Sequence, residues 1–246
     1  MKRSAIHSDF FICKFHTVSS TQEVMRKLLK DGVKVPEFAV ISSDFQSRGK
    51  GRLSRTWHSE SGQNALFSFV IYPGIDAPQA YVLYQTAAVA VAEVLHEKTG
   101  LEALIKYPND ILVKGKKIAG ILIDTQLKGQ KIRNVVVGIG LNVNQTGFPA
   151  LLGATSVKLE TGNSYVPEEL IVTVVKKFQD LYLRFDENEI MSRYLYLWHR
   201  KGLKKGIVID NLTVRGKIIG IANDTLSIRV AGSRRNYPVR KVKPLL

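Results

Sequence analysis

A stretch near the middle of the chain places the strongest limit on the fold, because it consists of short apolar runs joined by tight turns. Ile111 to Val113 and Ile118 to Gln126 flank the turn Lys114-Gly115-Lys116, and Ile132 to Val143 follows a turn at Gly129. This spacing predicts adjacent strands connected by hairpins. With helical patterns set apart from them, the strands favour an α+β fold with a mixed, largely antiparallel sheet over a doubly wound one.

The helical patterns lie on both sides of this stretch. The segment from Pro78 to Thr99 is rich in alanine and valine, which predicts a well-buried helix. Pro167 to Phe185 carries its apolar residues on one helical face, and Ile190 to Lys201 predicts another helix that Gly202 would end. Two further strands are expected at Phe38 to Ser42 and Ala65 to Tyr72.

A helix start is predicted at Ser20-Thr21-Gln22-Glu23. This is the form of a capping box, in which Ser20 caps the helix and Glu23 reaches back to the cap. Met25, Leu28 and Leu29 then supply an apolar stripe that ends near Gly32.

Composition indicates an ordinary globular protein from a reducing compartment. Of the 246 residues, 45% are hydrophobic and 23% are charged. The single cysteine, Cys13, cannot form an internal disulfide, and it lies between apolar neighbours as a core residue would. No apolar stretch is long enough to span a bilayer, and no signal peptide follows the basic start. We therefore predict a cytoplasmic protein with no membrane partner.

The excess of positive charge is unevenly distributed. The net charge is +15, and the segment from Leu203 to the C-terminus holds ten basic residues against two acidic ones, a net +8. After Gly202 the sequence changes to short β runs with a turn at Asn223-Asp224. We predict a domain boundary there, with a catalytic domain over residues 1–202 and a small β-barrel over residues 203–246. Such charge favours an anionic partner, either RNA or an acidic protein.

One basic loop, from Gln46 to Trp57, is the first candidate functional segment. It contains four cationic residues and two spaced glycines, and it ends in an aromatic residue. Glycines let a backbone approach a ligand closely, Arg and Lys neutralise phosphate or carboxylate, and Trp57 could stack on a base. The spacing is not that of a P-loop. Taken alone, the loop fits a nucleotide site and an RNA contact about equally.

Three downstream motifs favour the nucleotide site. Lys106-Tyr107-Pro108-Asn109-Asp110 is followed by Lys117-Ile118-Ala119-Gly120-Ile121-Leu122 and then by Gly138-Ile139-Gly140-Leu141-Asn142. Each motif alone is weak: Pro-Asn-Asp is a common turn, and a lone Gly-x-Gly occurs widely. In this order and together with the basic loop, they resemble the biotin protein ligases. The resemblance runs from about Ser19 to the C-terminus and includes Ala154-Thr155-Ser156.

The resemblance implies a fold and a two-step reaction. The fold is the biotin ligase catalytic domain, similar to class II aminoacyl-tRNA synthetases, followed by an SH3-like barrel. Biotin's carboxylate attacks the α-phosphate of ATP to give biotinyl-AMP, and a lysine of a biotin carboxyl carrier domain then attacks the mixed anhydride. Both steps need neutralised charge and alignment rather than a protein nucleophile.

The resemblance also assigns residues. Ser20, Thr21 and Gln46 match polar contacts to biotin, although Ser20 could equally serve only as a helix cap. Lys50, Gly51 and Arg52 match a loop that closes over biotin and the adenylate. Lys117, Arg52 and Asp110 are the catalytic candidates, with Lys117 bonded to the reacting carboxylate and phosphate. The nucleotide would further contact Arg55, Trp57, Lys106, Asn109 and Asn142, although Asn109 and Asp110 could simply brace their turn.

Three positions depart from the family pattern. Gln22 stands where the family has Asn, which puts its role as a ligand in doubt. Lys50 replaces an arginine and loses the bidentate fork. Tyr107 replaces a tryptophan, a packing change. The five histidines show no ligand spacing, so we expect Mg²⁺ only with ATP, with Asp110 as its candidate protein contact.

Two other functions, DNA-binding repression and lipoate ligation, are compatible with parts of this pattern. A repressor would need a DNA-binding domain, and only 19 residues precede Ser20, so we expect a short form without specific DNA binding. Lipoate ligation shares the fold and chemistry, but the Gly-Lys-Gly-Arg loop and Lys117-Ile118-Ala119-Gly120 favour biotin. The basic C-terminal part would meet an acidic acceptor domain, and the pattern is compatible with a homodimer.

Overall fold

The computed structural model describes residues 11–52, 55–184, 186–198, 207–209, 212–222, 225–238 and 242–244. The helices are α1 (Thr21–Lys30), α2 (Tyr81–Thr99), α3 (Val157–Thr161), α4 (Pro167–Leu183) and α5 (Glu187–Leu197). The first seven strands are β1 (Ile12–Val18), β2 (Val40–Gln46), β3 (Asn64–Ile71), β4 (Ala103–Lys106), β5 (Asp110–Val113), β6 (Lys116–Lys128) and β7 (Lys131–Asn142). Six short strands follow, namely β8 (Ile207–Ile209), β9 (Leu212–Val214), β10 (Lys217–Ala222), β11 (Thr225–Val230), β12 (Ser233–Pro238) and β13 (Val242–Pro244).

One seven-stranded sheet organises the larger part of the molecule. Its order is β1-β2-β3-β7-β6-β5-β4. Only β1 and β2 pair in parallel, with α1 as their crossover, and the other pairs are antiparallel. The predicted α+β class with a mixed, largely antiparallel sheet is therefore confirmed. The hairpins through β4 to β7 account for it, since short turns can join only antiparallel neighbours.

The start of α1 corrects the predicted capping box. Ser20 is in the N-cap position with extended backbone, but its side chain makes no capping hydrogen bond. Glu23 accepts instead from the Ser19 hydroxyl at 2.6 Å and forms an ion pair with Lys50. The apolar stripe is as predicted, because Met25 is fully buried with Leu28 and Leu29 packed beside it.

Helix α2 is buried on nearly all sides. Its central residues from Ala87 to Ala92 have at most 1% of their surface exposed. Small alanines allow this helix to lie close against the sheet, while α4 and α5 cover its other faces. On α4, Phe178 is fully buried, meets Phe69 of β3 edge-on with ring centroids 4.9 Å apart, and stacks on Tyr182. This layer fixes the sheet against which the functional residues are arranged.

The C-terminal strands form two small antiparallel sheets. Their orders are β10-β11-β12 and β13-β8-β9. Ile221, Leu226 and Ile228 belong to the same buried cluster as the residues of α2. The Gln85 amide of α2 also donates to the Ile221 carbonyl at 3.1 Å. The predicted boundary at residue 202 and the turn at Asn223-Asp224 lie outside the described residues.

Other predicted elements differ mainly at their ends. Helix α4 ends at Leu183 and α5 at Leu197, whereas Phe185 and Lys201, the predicted ends, lie outside the described residues. Strands β1 and β4 and helix α3 had not been predicted, because each is short or lacks clear alternation. No helix in the described ranges is long and apolar enough to cross a membrane.

Replacing Phe178 tests the packing of this layer. Phe178→Ala should lower the free energy of unfolding by about 3–5 kcal/mol, because it removes a buried ring and leaves a cavity. Leu183→Ala on the same helix is the control, since Leu183 is 65% exposed, and should change stability by about 0.5 kcal/mol or less. Urea denaturation of both variants measures the difference, and equal stabilities would contradict the described packing.

Candidate active site

A cavity opens over the centre of the sheet, between the start of α1 and the loop after β2. Strands β6 and β7 form its floor, where Gly120 pairs with Gly140 and Leu122 with Gly138. Its empty space is about 450 Å³ when counted out to the open mouth. The lining residues that had been predicted as site residues are Ser20, Thr21, Gln46, Lys50, Gly51, Arg52, Trp57, Asn109 and Lys117.

The floor is made of glycines because other groups lie where a Cβ would be. A Cβ on Gly140 would stand 2.5 Å from Cε2 of the Trp57 indole, and one on Gly120 would stand 2.9 Å from Cζ3 of the same ring. Contacts this short do not occur, so only glycine lets the indole lie on the strands. Gly140 of the Gly-x-Gly motif therefore provides space for Trp57, and no backbone turn occurs at this position.

One wall of the cavity is a chain of hydrogen-bonded polar side chains. The Gln46 side-chain oxygen accepts from the Thr21 amide at 2.8 Å and from the Thr21 hydroxyl at 3.2 Å. The Thr21 hydroxyl also shares a 2.8 Å hydrogen bond with the Ser68 hydroxyl. Ser20 and Thr21 are only 3% exposed and Gln46 is partly buried, yet all three line the cavity. They can therefore present fixed donors and acceptors to a polar ring.

Gln22 has a different position from its neighbours. Its amide nitrogen donates to the carbonyls of Leu122 at 3.2 Å and Val136 at 3.4 Å, which ties α1 to β6 and β7. Its oxygen lies above Gly138, 2.8 Å from where a Cβ would stand. The side chain thus has a structural role, while its oxygen borders the cavity.

The basic loop folds back on itself as a small hairpin. Lys50 and Thr56 form a β-bridge, the Gly51 amide donates to the Arg55 carbonyl at 2.7 Å, and the Trp57 amide donates to the Gly49 carbonyl at 2.9 Å. A Cβ on Gly49 would stand 2.8 Å from the Trp57 carbonyl oxygen, so the close approach requires glycine. The hairpin carries Lys50, Gly51 and Arg52 to the rim of the cavity.

Two contacts hold this hairpin on opposite sides of the cavity. On the α1 side, Lys50 forms an ion pair with Glu23. That ion pair and the Ser19 hydroxyl lower the pKa of the Glu23 carboxyl, so the contact is complete at neutral pH and is lost as the carboxyl protonates in acid. On the other side, the Arg52 guanidinium donates to the Asn109 side-chain oxygen at 3.4 Å and lies 5.9 Å from the centre of the Tyr84 ring.

Lys117 reaches the cavity because β6 is irregular where it begins. Residues three apart on a regular strand point to opposite faces, but the β5–β6 register shifts between Ile111 and Leu112. The Lys117 side chain consequently lies beside Gly120, with its ammonium nitrogen 2.6 Å from an Asp110 oxygen and 5.4 Å from the Trp57 ring centre. A carboxylate and an aromatic face together fix this cation at the edge of the floor.

The backbone of Lys117 is also held from the far side. Its amide donates to the Gly153 carbonyl and its carbonyl accepts from the Thr155 amide, both at 2.9 Å. The Thr155 hydroxyl donates to Glu160 at 2.7 Å, and the Asn142 amide donates to the Thr155 carbonyl at 2.9 Å. The Thr155 hydrogen bond and the nearby Lys114 lower the pKa of Glu160. The segment after β7 is thus a support for Lys117.

Four predicted site residues do not line the cavity. Asp110 lies beside it as the partner of Lys117. Arg55 and Lys106 are exposed and lie outside the lining. Asn142 is only 3% exposed and follows Gly138 and Gly140 on the same face of β7. Sequence reasoning missed Glu23, Ser68 and Tyr84 as partners of site residues, because their contacts join distant parts of the chain. Glu160 was missed too, although its partner Thr155 is only five positions away.

No metal-binding group is preformed in the described part of the chain. Clusters of three or more His, Cys, Asp or Glu side chains with metal-like geometry are absent from the described residues. Among the described residues, Asp110 is the carboxylate that forms an ion pair with the Lys117 ammonium. One carboxylate suits a cation that arrives with phosphate oxygens, as Mg²⁺ does, better than one bound by protein alone.

Comparison with known proteins gives one family and several relatives. Residues 15–142 match the model of the biotin/lipoate A/B protein ligase family. The bifunctional ligase/repressor BirA of Bacillus subtilis is 34% identical over 213 residues, which cover 85% of this chain and 65% of that protein. A biotin–[acetyl-CoA-carboxylase] ligase of Paracoccus denitrificans is 36% identical over 140 residues, 54% of this chain and 58% of that one. The chain thus spans less than two thirds of either relative.

The fold is shared with a solved structure. The biotin protein ligase of Aquifex aeolicus in complex with biotin and ATP superposes with a TM-score of 0.72, covering 94% of this chain and 97% of that one at 24% identity.

The glycine floor can be tested with one added methyl group. Gly140→Ala should displace the Trp57 indole towards water and shift tryptophan emission to longer wavelength, because the ring cannot share that space with a Cβ. The second tryptophan, Trp198, is 3% exposed and gives a constant background. Gly147→Ala is the control, since its Cβ would meet only the end of the flexible Glu60 side chain. An unchanged spectrum for Gly140→Ala would refute the described contact.

Proposed function

The chain belongs to the biotin/lipoate A/B protein ligase family, and we propose that it is an ATP-dependent biotin protein ligase. It would activate biotin to biotinyl-5′-AMP and transfer the biotin to a lysine of a biotin carboxyl carrier domain. The observation that carries the proposal is the Lys117 ammonium, which borders the cavity next to Asp110 and opposite the Lys50-Gly51-Arg52 hairpin. The names of the Bacillus and Paracoccus relatives support the same activity.

In the first step, a carboxylate and a triphosphate must be brought together despite their like charges. Lys117 would donate hydrogen bonds to the biotin carboxylate and the α-phosphate, since its ammonium has three donors and Asp110 occupies one side. Arg52, at the rim, would neutralise the charge that develops on the phosphate. Alignment and charge neutralisation suffice, because the carboxylate itself is the nucleophile.

Biotin would lie with its ureido ring against the polar wall. Ser20, Thr21 and Gln46 supply donors and acceptors there, fixed by the hydrogen bonds between Thr21 and Gln46. Lys50 and Gly51 would close over the bound acid from the hairpin. In this arrangement biotin would occupy the end of the cavity next to α1, and the adenylate would occupy the end next to Trp57.

The nucleotide would lie along the Trp57 side of the floor. Trp57 offers a flat indole for the adenine, and Asn109, which is bonded to Arg52, would lie near the phosphates. Arg55 and Lys106 are exposed outside the cavity and would contact only the outer phosphates of ATP. Asn142 shares the β7 face of Gly138 and Gly140, and its side-chain oxygen has no hydrogen-bond partner in the described structure, so it would contact the nucleotide from that face. Mg²⁺ would enter with ATP and use Asp110, supplying charge neutralisation at the phosphates.

In the second step, the acceptor lysine attacks the anhydride and releases AMP. We propose that the two small C-terminal sheets form an SH3-like barrel, as a domain from about residue 203. Their described arginines Arg215, Arg229, Arg234 and Arg235 are all exposed, which suits an acidic acceptor domain. Neither specific DNA nor a membrane is part of the proposal, and sequence-selective binding of duplex DNA at moderate salt would contradict it.

The choice between the two acids of the family is tested directly. Purified protein incubated with Mg²⁺-ATP should release pyrophosphate and form an acyl-adenylate with biotin, and far less with lipoate. High-performance liquid chromatography of the adenylates measures both reactions. Adenylate formed from lipoate but not from biotin would replace the proposed substrate.

The role of Lys117 is tested by removing its ammonium. Lys117→Ala should slow biotin-dependent pyrophosphate release by about 100-fold or more, as expected when a group that stabilises transition-state charge is lost. Lys116→Ala is the matched control, because Lys116 is the exposed neighbour on the same strand and should keep wild-type activity. Circular dichroism of both variants should be unchanged. Normal pyrophosphate release by Lys117→Ala would remove Lys117 from the mechanism.

A further inference from the structure

One edge of β6 loses its strand partner in the middle of the site. Strand β5 pairs with β6 only as far as the contact between Asp110 and Gly120. Beyond it, β6 continues for eight residues beside β7, and its other edge must satisfy its backbone groups elsewhere. Asn109 does this at Ile121: its carbonyl accepts from the Ile121 amide at 3.0 Å, and its side-chain amide donates to the Ile121 carbonyl at 2.8 Å.

Tyr84 likewise satisfies the backbone groups of β6 two residues further along, at Ile123. Its hydroxyl donates to the Ile123 carbonyl and accepts from the Ile123 amide, each at 3.2 Å. One phenol of α2 thus replaces a missing strand residue. Burial raises the pKa of Tyr84, so the hydroxyl keeps its proton and can serve as donor and acceptor at once.

The Arg52 guanidinium lies on these same two residues. It donates to the Asn109 side-chain oxygen at 3.4 Å and lies 5.9 Å from the centre of the Tyr84 ring, within the range of a cation–π contact. Both partners are themselves bonded to β6, whose Ile121 and Leu122 line the cavity. Asn109 and Tyr84 therefore fix the position of Arg52 relative to β6, the strand that forms part of the floor.

We propose that Tyr84 is a positioning residue for the ligase reaction: its ring holds Arg52 over the cavity and its hydroxyl holds the β6 edge beneath. This inference rests on the proposed function for its catalytic consequence, but the contact itself does not depend on it. Tyr84 lies outside the four motifs that carry the family resemblance. A tyrosine that merely filled the core would need neither the paired hydrogen bonds to Ile123 nor the face-on cation.

The first experiment measures the contact without substrates. The hairpin contains trypsin sites at Lys50 and Arg55 that are kept in every variant, and mass spectrometry can follow cleavage at each. Tyr84→Leu should increase the cleavage rate by about two- to five-fold, the size expected from one partly exposed cation–π contact. Tyr84→Phe keeps the ring and should stay within about two-fold of wild type. Tyr182→Leu, on α4 and away from the hairpin, controls for the loss of a tyrosine from a helix.

The second experiment asks whether the contact serves the reaction. The rate at which bound biotinyl-AMP is lost to solution should rise by a similar two- to five-fold in Tyr84→Leu, because Arg52 covers the adenylate less of the time. The KM for acceptor should not change. Arg52→Gln should itself lose adenylate faster than wild type, and in that background Tyr84→Leu should add nothing, since the shared contact is already gone.

The outcomes separate this inference from the proposed function. Wild-type protein that makes no biotinyl-AMP would overturn the function, while the cleavage rates would still decide the contact. Wild-type cleavage and wild-type adenylate loss in Tyr84→Leu would overturn the inference and leave the function standing. Equal effects of Tyr84→Leu with and without Arg52, or equal effects of the Phe and Leu variants, would also overturn it, because the ring would then not act through Arg52.

Discussion

The absence of side chains at three positions of the β6–β7 pair is the constraint on which the site depends. Gly120, Gly138 and Gly140 leave room for the Trp57 indole, the end of the Lys117 side chain and the Gln22 amide. These three groups arrive from a loop, a strand and a helix, so the floor is where distant parts of the chain meet. A methyl group at one of these positions would push the group above it off the floor.

The cations around the floor are all held by weak, partly exposed partners. Lys50 has Glu23, Lys117 has Asp110, and Arg52 has an amide oxygen and a ring. Ion pairs of this kind contribute only about 0–1 kcal/mol each, because water screens them. An anionic ligand can therefore displace them at small cost, while they keep the side chains near their working positions. The side chains of the site are thus ordered in advance by partners that an anionic ligand can replace.

Much of the fold followed from the sequence, because strands joined by tight turns and a long buried helix leave few alternatives. The prediction of Lys117 beside the basic hairpin rested on motif order, and the cavity does contain both. The capping box failed because a nearby lysine competes for Glu23, a contact that spans 27 positions of sequence. The same reason hid Tyr84, because nothing in its local sequence indicates that it meets the backbone of Ile123, 39 positions away.

The contact between α2 and the C-terminal strands has a consequence for how the molecule unfolds. Ile221, Leu226 and Ile228 complete the cluster that buries α2, and Gln85 is bonded to the Ile221 backbone. A helix with so little polar surface cannot remain folded once one of its covering layers leaves. The seven-stranded sheet and the basic C-terminal strands should therefore melt in one cooperative transition, so that the basic charge of these strands is present only when the cavity is also formed.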